Sequence, residues 1–148
     1  MATIQQIRGM LFEEAVLFLL TRAGYTTVDE PDGDTLKRVG AGLAVIGRGG
    51  VHQIDAIADY VITPAFAHPQ RLLVEAKCYG SAVGLPVIRN AVGVLKDVNE
   101  YWNPRRREVD RSRFHYLQAV FSSSDFTSDA EDYAFAPLLS GSLNRPAL

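Results

Sequence analysis

The chain has 148 residues, of which 47% are hydrophobic and 22% charged; this excludes wholesale disorder and predicts a single domain over residues 1–148. The formal net charge of -2 argues against nucleic-acid binding through diffuse positive charge alone, so any such binding needs a local basic site. The lone Cys78 excludes an intrachain disulfide, and we expect a reducing, cytoplasmic setting.

The first predicted element is a helix over residues 3–23, ended by Gly24. Apolar residues recur at helical spacing, namely Ile4, Ile7, Leu11, Ala15 and Phe18. Further apolar residues cover much of the remaining circumference, so we expect this helix to be packed on more than one side. Glu13 and Glu14 interrupt the run and no small-residue cleavage site follows, which argues against a signal peptide or a membrane span.

The rest of the chain alternates between strands and helices. A short strand is predicted at 25–28, a Pro-, Gly- and Asp-rich loop at 29–42, and strands at 43–46, 53–62 and 71–78. Pro86 suits the first turn of a helix that runs to about Trp102, and Gly93 within it predicts a close approach of helix and sheet. A basic loop at 103–112, a strand at 114–124 and a helix from Thr127 to about Leu138 complete the order. This order predicts a mixed sheet flanked by helices.

Three charged residues lie on predicted strands that are otherwise apolar. Glu75 and Lys77 alternate with apolar residues in RLLVEAKCYG, so their side chains share one face, roughly 7 Å apart. Asp55 opens an apolar strand 20 residues earlier, and antiparallel pairing could bring it close to both. Mg²⁺ prefers carboxylate oxygens and can activate water beside a phosphate, where an ammonium adds positive charge. On a solvated edge, the same pattern would be an ion pair worth under about 1 kcal/mol.

The order of these residues resembles the PD-(D/E)xK nuclease superfamily, and most closely the Mrr-type restriction endonuclease domain. The opening helix matches that domain's G-x-x-F-E pattern, a glycine and an aromatic residue follow the helix, and the glycine turn GRGGVHQID leads to Asp55. The late segment FSSSDFTSDAEDYA is similar to the family's last strand and helix. The residues that carry the helix pattern and its exit are Gly9, Phe12, Glu13, Gly24 and Tyr25. Ile54 stands where the superfamily's motif has proline.

The resemblance implies an α/β (α+β) restriction-endonuclease-like fold, a central mixed sheet flanked by helices in the order αβββαβ with an added C-terminal helix. It implies a single nuclease-like catalytic domain that hydrolyses DNA with Mg²⁺, for which Mn²⁺ would substitute. Asp55, Glu75 and the backbone carbonyl of Ala76 would hold the ion, and Lys77 would orient or activate water.

The helix carboxylate and several neighbours leave alternatives open. Glu13 would complete the acidic cluster on the motif register alone, because spacing does not separate it from Glu14. Asp59, four residues after Asp55, would project to the same strand face and could be a further ligand, although this is the less favoured interpretation. His52 could touch a phosphate or be an ordinary loop histidine.

DNA contact is predicted for the basic segment, with a solvated loop as the alternative. The predicted DNA-binding residues are Arg105, Arg106, Arg107, Arg111 and, on the preceding helix, Arg89. Cutting both strands with one site per chain suggests a homodimer or a partner subunit. We expect no membrane association. Two other functions remain open, a Holliday-junction-type resolvase and a catalytically inactive DNA-binding or assembly module of the same fold.

Overall fold

The computed structural model of the chain describes residues 1–101 and 114–140, with side chains described up to residue 135. The elements, in chain order, are α1 (Ile4–Arg22), β1 (Tyr25–Thr27), β2 (Leu36–Val39), β3 (Gly42–Ile46), β4 (Val51–Gln53), β5 (Ala56–Tyr60), β6 (Gln70–Lys77), α2 (Leu85–Asn99), β7 (His115–Ser122) and α3 (Ser128–Ser140). No helix in these described ranges is long and apolar enough to cross a membrane.

The main sheet has the strand order β1-β5-β6-β7 and is mixed, as the element order predicts. β1, β5 and β6 pair antiparallel, whereas β6 and β7 run parallel, joined by the crossover through α2. α1 packs on one face of this sheet, where Val16 and Leu20 meet Leu72 and Val74. The other face forms a second core cluster, in which Leu73 of β6 lies with residues of α2, β2 and β3. The sheet is therefore covered by helices on both faces.

α1 begins and ends where its sequence predicts. Thr3 is the N-cap, and its hydroxyl accepts a hydrogen bond from the N–H of Gln6 while the Gln6 side chain accepts one from the N–H of Thr3. Gly24 follows the helix with φ 90°, a conformation that favours glycine. The expectation of packing on more than one side is wrong for the described part of the chain, because Ile4, Leu11 and Phe18 are exposed. Among the described residues, only the sheet-facing side of α1 is buried.

A second sheet of order β2-β3-β4 corrects two sequence predictions. Leu36–Val39, predicted as loop, is a strand that pairs with β3. Its first residue, Leu36, is wholly buried, whereas Lys37 and Arg38 are exposed and made the segment look like a loop. The predicted strand 53–62 is divided at residues 54–55, since β4 pairs with β3 in this sheet and β5 pairs in the main one.

The remaining differences concern α2. The helix ends at Asn99, and Trp102 lies outside the described residues. The predicted close approach at Gly93 is wrong, because the residue is exposed and a Cβ built there would meet nothing within 4 Å. The predicted strand after the basic segment and the closing helix are present as β7 and α3.

Candidate active site

The antiparallel register of β5 and β6 brings Asp55 beside the charged end of β6. Ala56 pairs with Val74, so Asp55, one residue before β5, lies next to the last residues of β6. The N–H of Ala76 donates a hydrogen bond to Oδ2 of Asp55 over 2.8 Å. The structure therefore brings Asp55 close to the Glu75 strand, the proximity that the sequence predicts.

Lys77 joins the two carboxylates. Its Nζ lies 2.6 Å from Oε2 of Glu75 and 3.9 Å from Oδ2 of Asp55. Burial alone would lower the pKa of Lys77, but the hydrogen bond that its ammonium donates to Glu75 and the charges of Glu75 and Asp55 outweigh it, so the pKa lies above its ordinary value. The ammonium is consequently charged at neutral pH.

Glu13 approaches the same group from α1. Burial raises its pKa, the negative charges of Asp55 and Glu14 raise it further, and the ammonium of Lys77 opposes them. Residues seven apart share a helix face, so Glu13 lies on the sheet-facing side of α1 with Leu20, although its own side chain is exposed, whereas Glu14 lies on the outward side with Ile7. Of the two glutamates that the sequence leaves open, Glu13 is the one beside the site.

The loops after β6 and β7 are tied together next to Lys77. The N–H of Ser123 donates to the carbonyl of Lys77 over 3.1 Å, and the hydroxyl of Ser124 donates to the carbonyl of Ser81 over 2.6 Å. Val83 and Phe126 form an isolated parallel bridge further along. On the other side, the Gln5 side chain donates to the carbonyl of Cys78 over 2.8 Å and so holds the start of α1 against the end of β6. These contacts fix the backbone on both sides of Lys77.

A cleft that the sequence did not indicate leads away from Glu13 along α1. Its volume is about 640 Å³. It is lined by Met1, Ala2, Gln6, Gly9, Met10 and Glu13. Gln6, Gly9 and Glu13 are spaced by three and four residues, which is the signal that could have indicated one common helix face. The cleft extends the site beyond the charged residues.

The donor set fits a hard divalent cation held by few protein ligands. Asp55 and Glu75 converge on one point, with Glu13 close enough to feel the charge of Asp55. Two carboxylates leave positions for water and phosphate, an arrangement typical of Mg²⁺. Across the described ranges, no three His, Cys, Asp or Glu side chains already form a complete metal cage. Ala76 contacts the site through its N–H, which donates to Asp55. The role of its backbone carbonyl as a metal ligand stays a prediction.

Two neighbours of the site have structural partners. Asp59 lies at the far end of β5, where its carboxylate accepts hydrogen bonds from Arg71 over 2.7 and 2.9 Å, so the interpretation as a further metal ligand is wrong. Nε2 of His52 lies 2.8 Å from Oδ2 of Asp97, whose other oxygen accepts the N–H of Gly49. The hydrogen bond with His52 lowers the pKa of Asp97. His52 therefore links the glycine turn to α2.

Of the predicted DNA contacts, Arg89 lies on α2, with its guanidinium carbon 5.7 Å from the ring centroid of Tyr133 on α3. The other predicted arginines, Arg105, Arg106, Arg107 and Arg111, lie outside the described residues.

This fold agrees with the family to which the chain belongs. The family model Mrr_cat, described as "Restriction endonuclease", matches residues 4–139, so the chain is a member of the Mrr-type restriction endonuclease family. Its mixed sheet flanked by helices is the restriction-endonuclease-like fold.

Comparison with individual proteins adds evidence on the fold alone. Among curated proteins, none matches the chain. The crystal structure of AF1548, a protein of unknown function, is similar with a TM-score of 0.54 and 18% identity, over 82% of this chain and 50% of that one. The chain therefore spans about half the length of that protein.

Proposed function

We propose that this nuclease-family chain is a metal-dependent DNA endonuclease whose active site consists of Asp55, Glu75, Lys77 and Glu13. The observation that carries the proposal is the convergence of two carboxylates on the Lys77 ammonium at the end of β6, with Glu13 beside them. Keeping these charges together in a half-buried position costs desolvation energy that packing does not require. Binding of a cation and a phosphate is a function that accounts for this cost.

The proposed division of labour follows the chemistry of each group. Asp55, Glu75, the carbonyl of Ala76 and Glu13 would hold Mg²⁺, or Mn²⁺ in its place, which when bound makes water more acidic and neutralises charge on a phosphate. Lys77, held protonated by its two carboxylate neighbours, would orient the attacking water and donate to the phosphate oxygens on which negative charge develops.

The proposed reaction is in-line hydrolysis of a phosphodiester. The water oxygen forms the new bond to phosphorus while the bond from phosphorus to the 3′ oxygen breaks, which leaves a 5′-phosphate and a 3′-hydroxyl. Arg89 and the arginines of the basic segment would contact flanking phosphates, which position the duplex without reading its sequence. Cleavage of both strands would require two such sites, from a second copy or a partner subunit.

Replacing Asp55 by Asn tests the proposal, with Glu14→Gln as the matched control because Glu14 faces away from the site. We expect Asp55→Asn to lower the rate of plasmid cleavage in Mg²⁺ at least about 100-fold, the scale of losing one preorganised charged group, and Glu14→Gln to cleave at the wild-type rate. Equal rates for wild type and Asp55→Asn would contradict the proposal.

The same assay separates the two other functions. A junction-type resolvase would cut a four-way junction in preference to a linear duplex of the same sequence. An inactive module would cut neither, and isothermal titration would show Mg²⁺ binding that is no tighter in the wild type than in Asp55→Asn.

A further inference from the structure

The outward face of α1 is an exposed apolar stripe. Residues spaced by seven share a helix face, and Ile4, Leu11 and Phe18 are 75, 65 and 65% exposed, with Ile7 46% exposed beside them. We call these four residues the α1 seam. None of them belongs to either core cluster of the described residues.

Neither folding nor the proposed site accounts for the seam. The buried side of α1, with Val16 and Leu20, points in the opposite direction and supplies the helix's contribution to the core. Glu13 also lies on that buried side, next to Asp55. A partner that covered the seam would therefore leave the site open.

The size of the patch suits a stable protein interface. Leu19, 57% exposed, lies on one flank of the seam, whereas Met10 on the opposite flank lines the cleft beside Glu13. With about 200 Å² for each fully exposed large apolar residue, the seam and Leu19 present roughly 600 Å², which is the area that one partner buries in the smallest stable interfaces. Monomeric proteins rarely expose a contiguous apolar patch larger than a few hundred Å².

The spacing of the seam is self-complementary. Ile4 and Phe18 are each seven residues from Leu11, so a two-fold axis through Leu11 sets Ile4 of one chain opposite Phe18 of the other over the whole length. The small, exposed Ala15 lies between Leu11 and Phe18 and allows the backbones to approach. Isologous contact of this kind uses one patch twice and closes the assembly at two copies.

Antiparallel contact sets the bulky Phe18 of one chain against the smaller Ile4 of the other, whereas parallel contact would set the two Phe18 rings against each other. The two helix dipoles then run in opposite directions, which places the positive end of each helix near the negative end of the other.

From this self-complementary apolar surface we infer that the chain forms a two-fold homodimer through antiparallel contact of the α1 seams. The inference identifies the surface by which two sites would be joined. It concerns association alone, and its tests measure mass and cross-links, so they succeed or fail independently of DNA cleavage.

Sedimentation equilibrium of the full chain tests the association. We expect the wild type to have twice the 16.3 kDa of one chain, and Leu11→Glu and Phe18→Glu to weaken dimerisation at least tenfold with unchanged circular dichroism. The matched control is Phe66→Ser, which removes an even more exposed apolar residue outside α1 and should remain dimeric. A monomeric wild type at micromolar concentration, or seam variants that dimerise as tightly as the wild type, would overturn the inference.

Cysteine cross-linking tests the orientation, and it does not depend on how the glutamate variants fold. In a Cys78→Ser background, we expect Leu11→Cys to cross-link to itself under mild oxidation. Ile4→Cys and Phe18→Cys should cross-link only when the two proteins are mixed. Self-cross-linking of Ile4→Cys, or an absence of cross-links at all three positions, would overturn the antiparallel arrangement.

Discussion

Replacing Arg71 by Met should destabilise the fold by about 2–3 kcal/mol. Arg71 is 4% exposed, its guanidinium donates to both oxygens of Asp59 and to the Thr35 hydroxyl, and its carbon lies 3.7 Å from the centroid of the Phe114 ring. Removing one partner of a fully buried ion pair costs about 3–5 kcal/mol. Because the Asp59 side chain keeps 31% of its exposure, water relieves part of this cost.

Urea unfolding followed by circular dichroism measures this loss as a lower midpoint at an unchanged slope. Arg38→Met is the matched control, because Arg38 pairs with Glu30 on the surface, with 46 and 85% of their side chains exposed, and should cost under about 0.5 kcal/mol. The double variant Arg71→Met with Asp59→Asn should be less destabilised than the sum of the single variants. A loss no greater than that of the control would refute the argument.

Other regions allow further predictions. Burial disfavours the charge of Asp32. Hydrogen bonds from the Thr35 hydroxyl and from the backbone N–H groups of Asp34, Thr35 and Leu36 nevertheless hold its pKa at about 2, below its ordinary 3.8. Its contribution, on the order of 1 kcal/mol after solvent screening, should be complete above about pH 5 and be lost as the pH falls towards 2. The stability gap to Asp32→Asn in urea titrations should therefore close over that range and not widen. Glu13→Gln should slow DNA cleavage at least about tenfold and Glu14→Gln should not; equal rates would remove Glu13 from the site. Gly93→Ala should stabilise α2 by about 0.5–1 kcal/mol in thermal unfolding, because a methyl group there meets nothing within 4 Å. Gly47→Ala should cost about 1–3 kcal/mol, because its methyl group would occupy the space of a carboxylate oxygen of α2; an unchanged midpoint would contradict this.

The proximity of Asp55 to Glu75 and Lys77 was predictable because it depends on rules that operate along the chain. Strand alternation sets Glu75 and Lys77 on one face, and antiparallel pairing of neighbouring strands brings in Asp55. The mixed sheet and its flanking helices follow from the order of apolar segments in the same way.

The features that were not predictable depend on contacts between distant segments. Leu36 begins a strand in a polar stretch because it pairs with β3 and is buried in the core cluster. The break before Asp55 arises because β4 and β5 join different sheets. Apolar residues surround α1, so spacing alone could not separate Glu13 from Glu14. The packed side of the helix decides between them only once the sheet is in place.

Cleavage of supercoiled plasmid by wild type and Lys77→Ala, with Mg²⁺, Mn²⁺ or EDTA, tests the central claim most directly. The account predicts nicking or linearisation by the wild type in either metal, none in EDTA, and a rate at least about 100-fold lower for Lys77→Ala. If the wild type leaves the plasmid intact in both metals, or if Lys77→Ala cleaves it as fast as the wild type, the site at the end of β6 is not a metal-dependent nuclease centre.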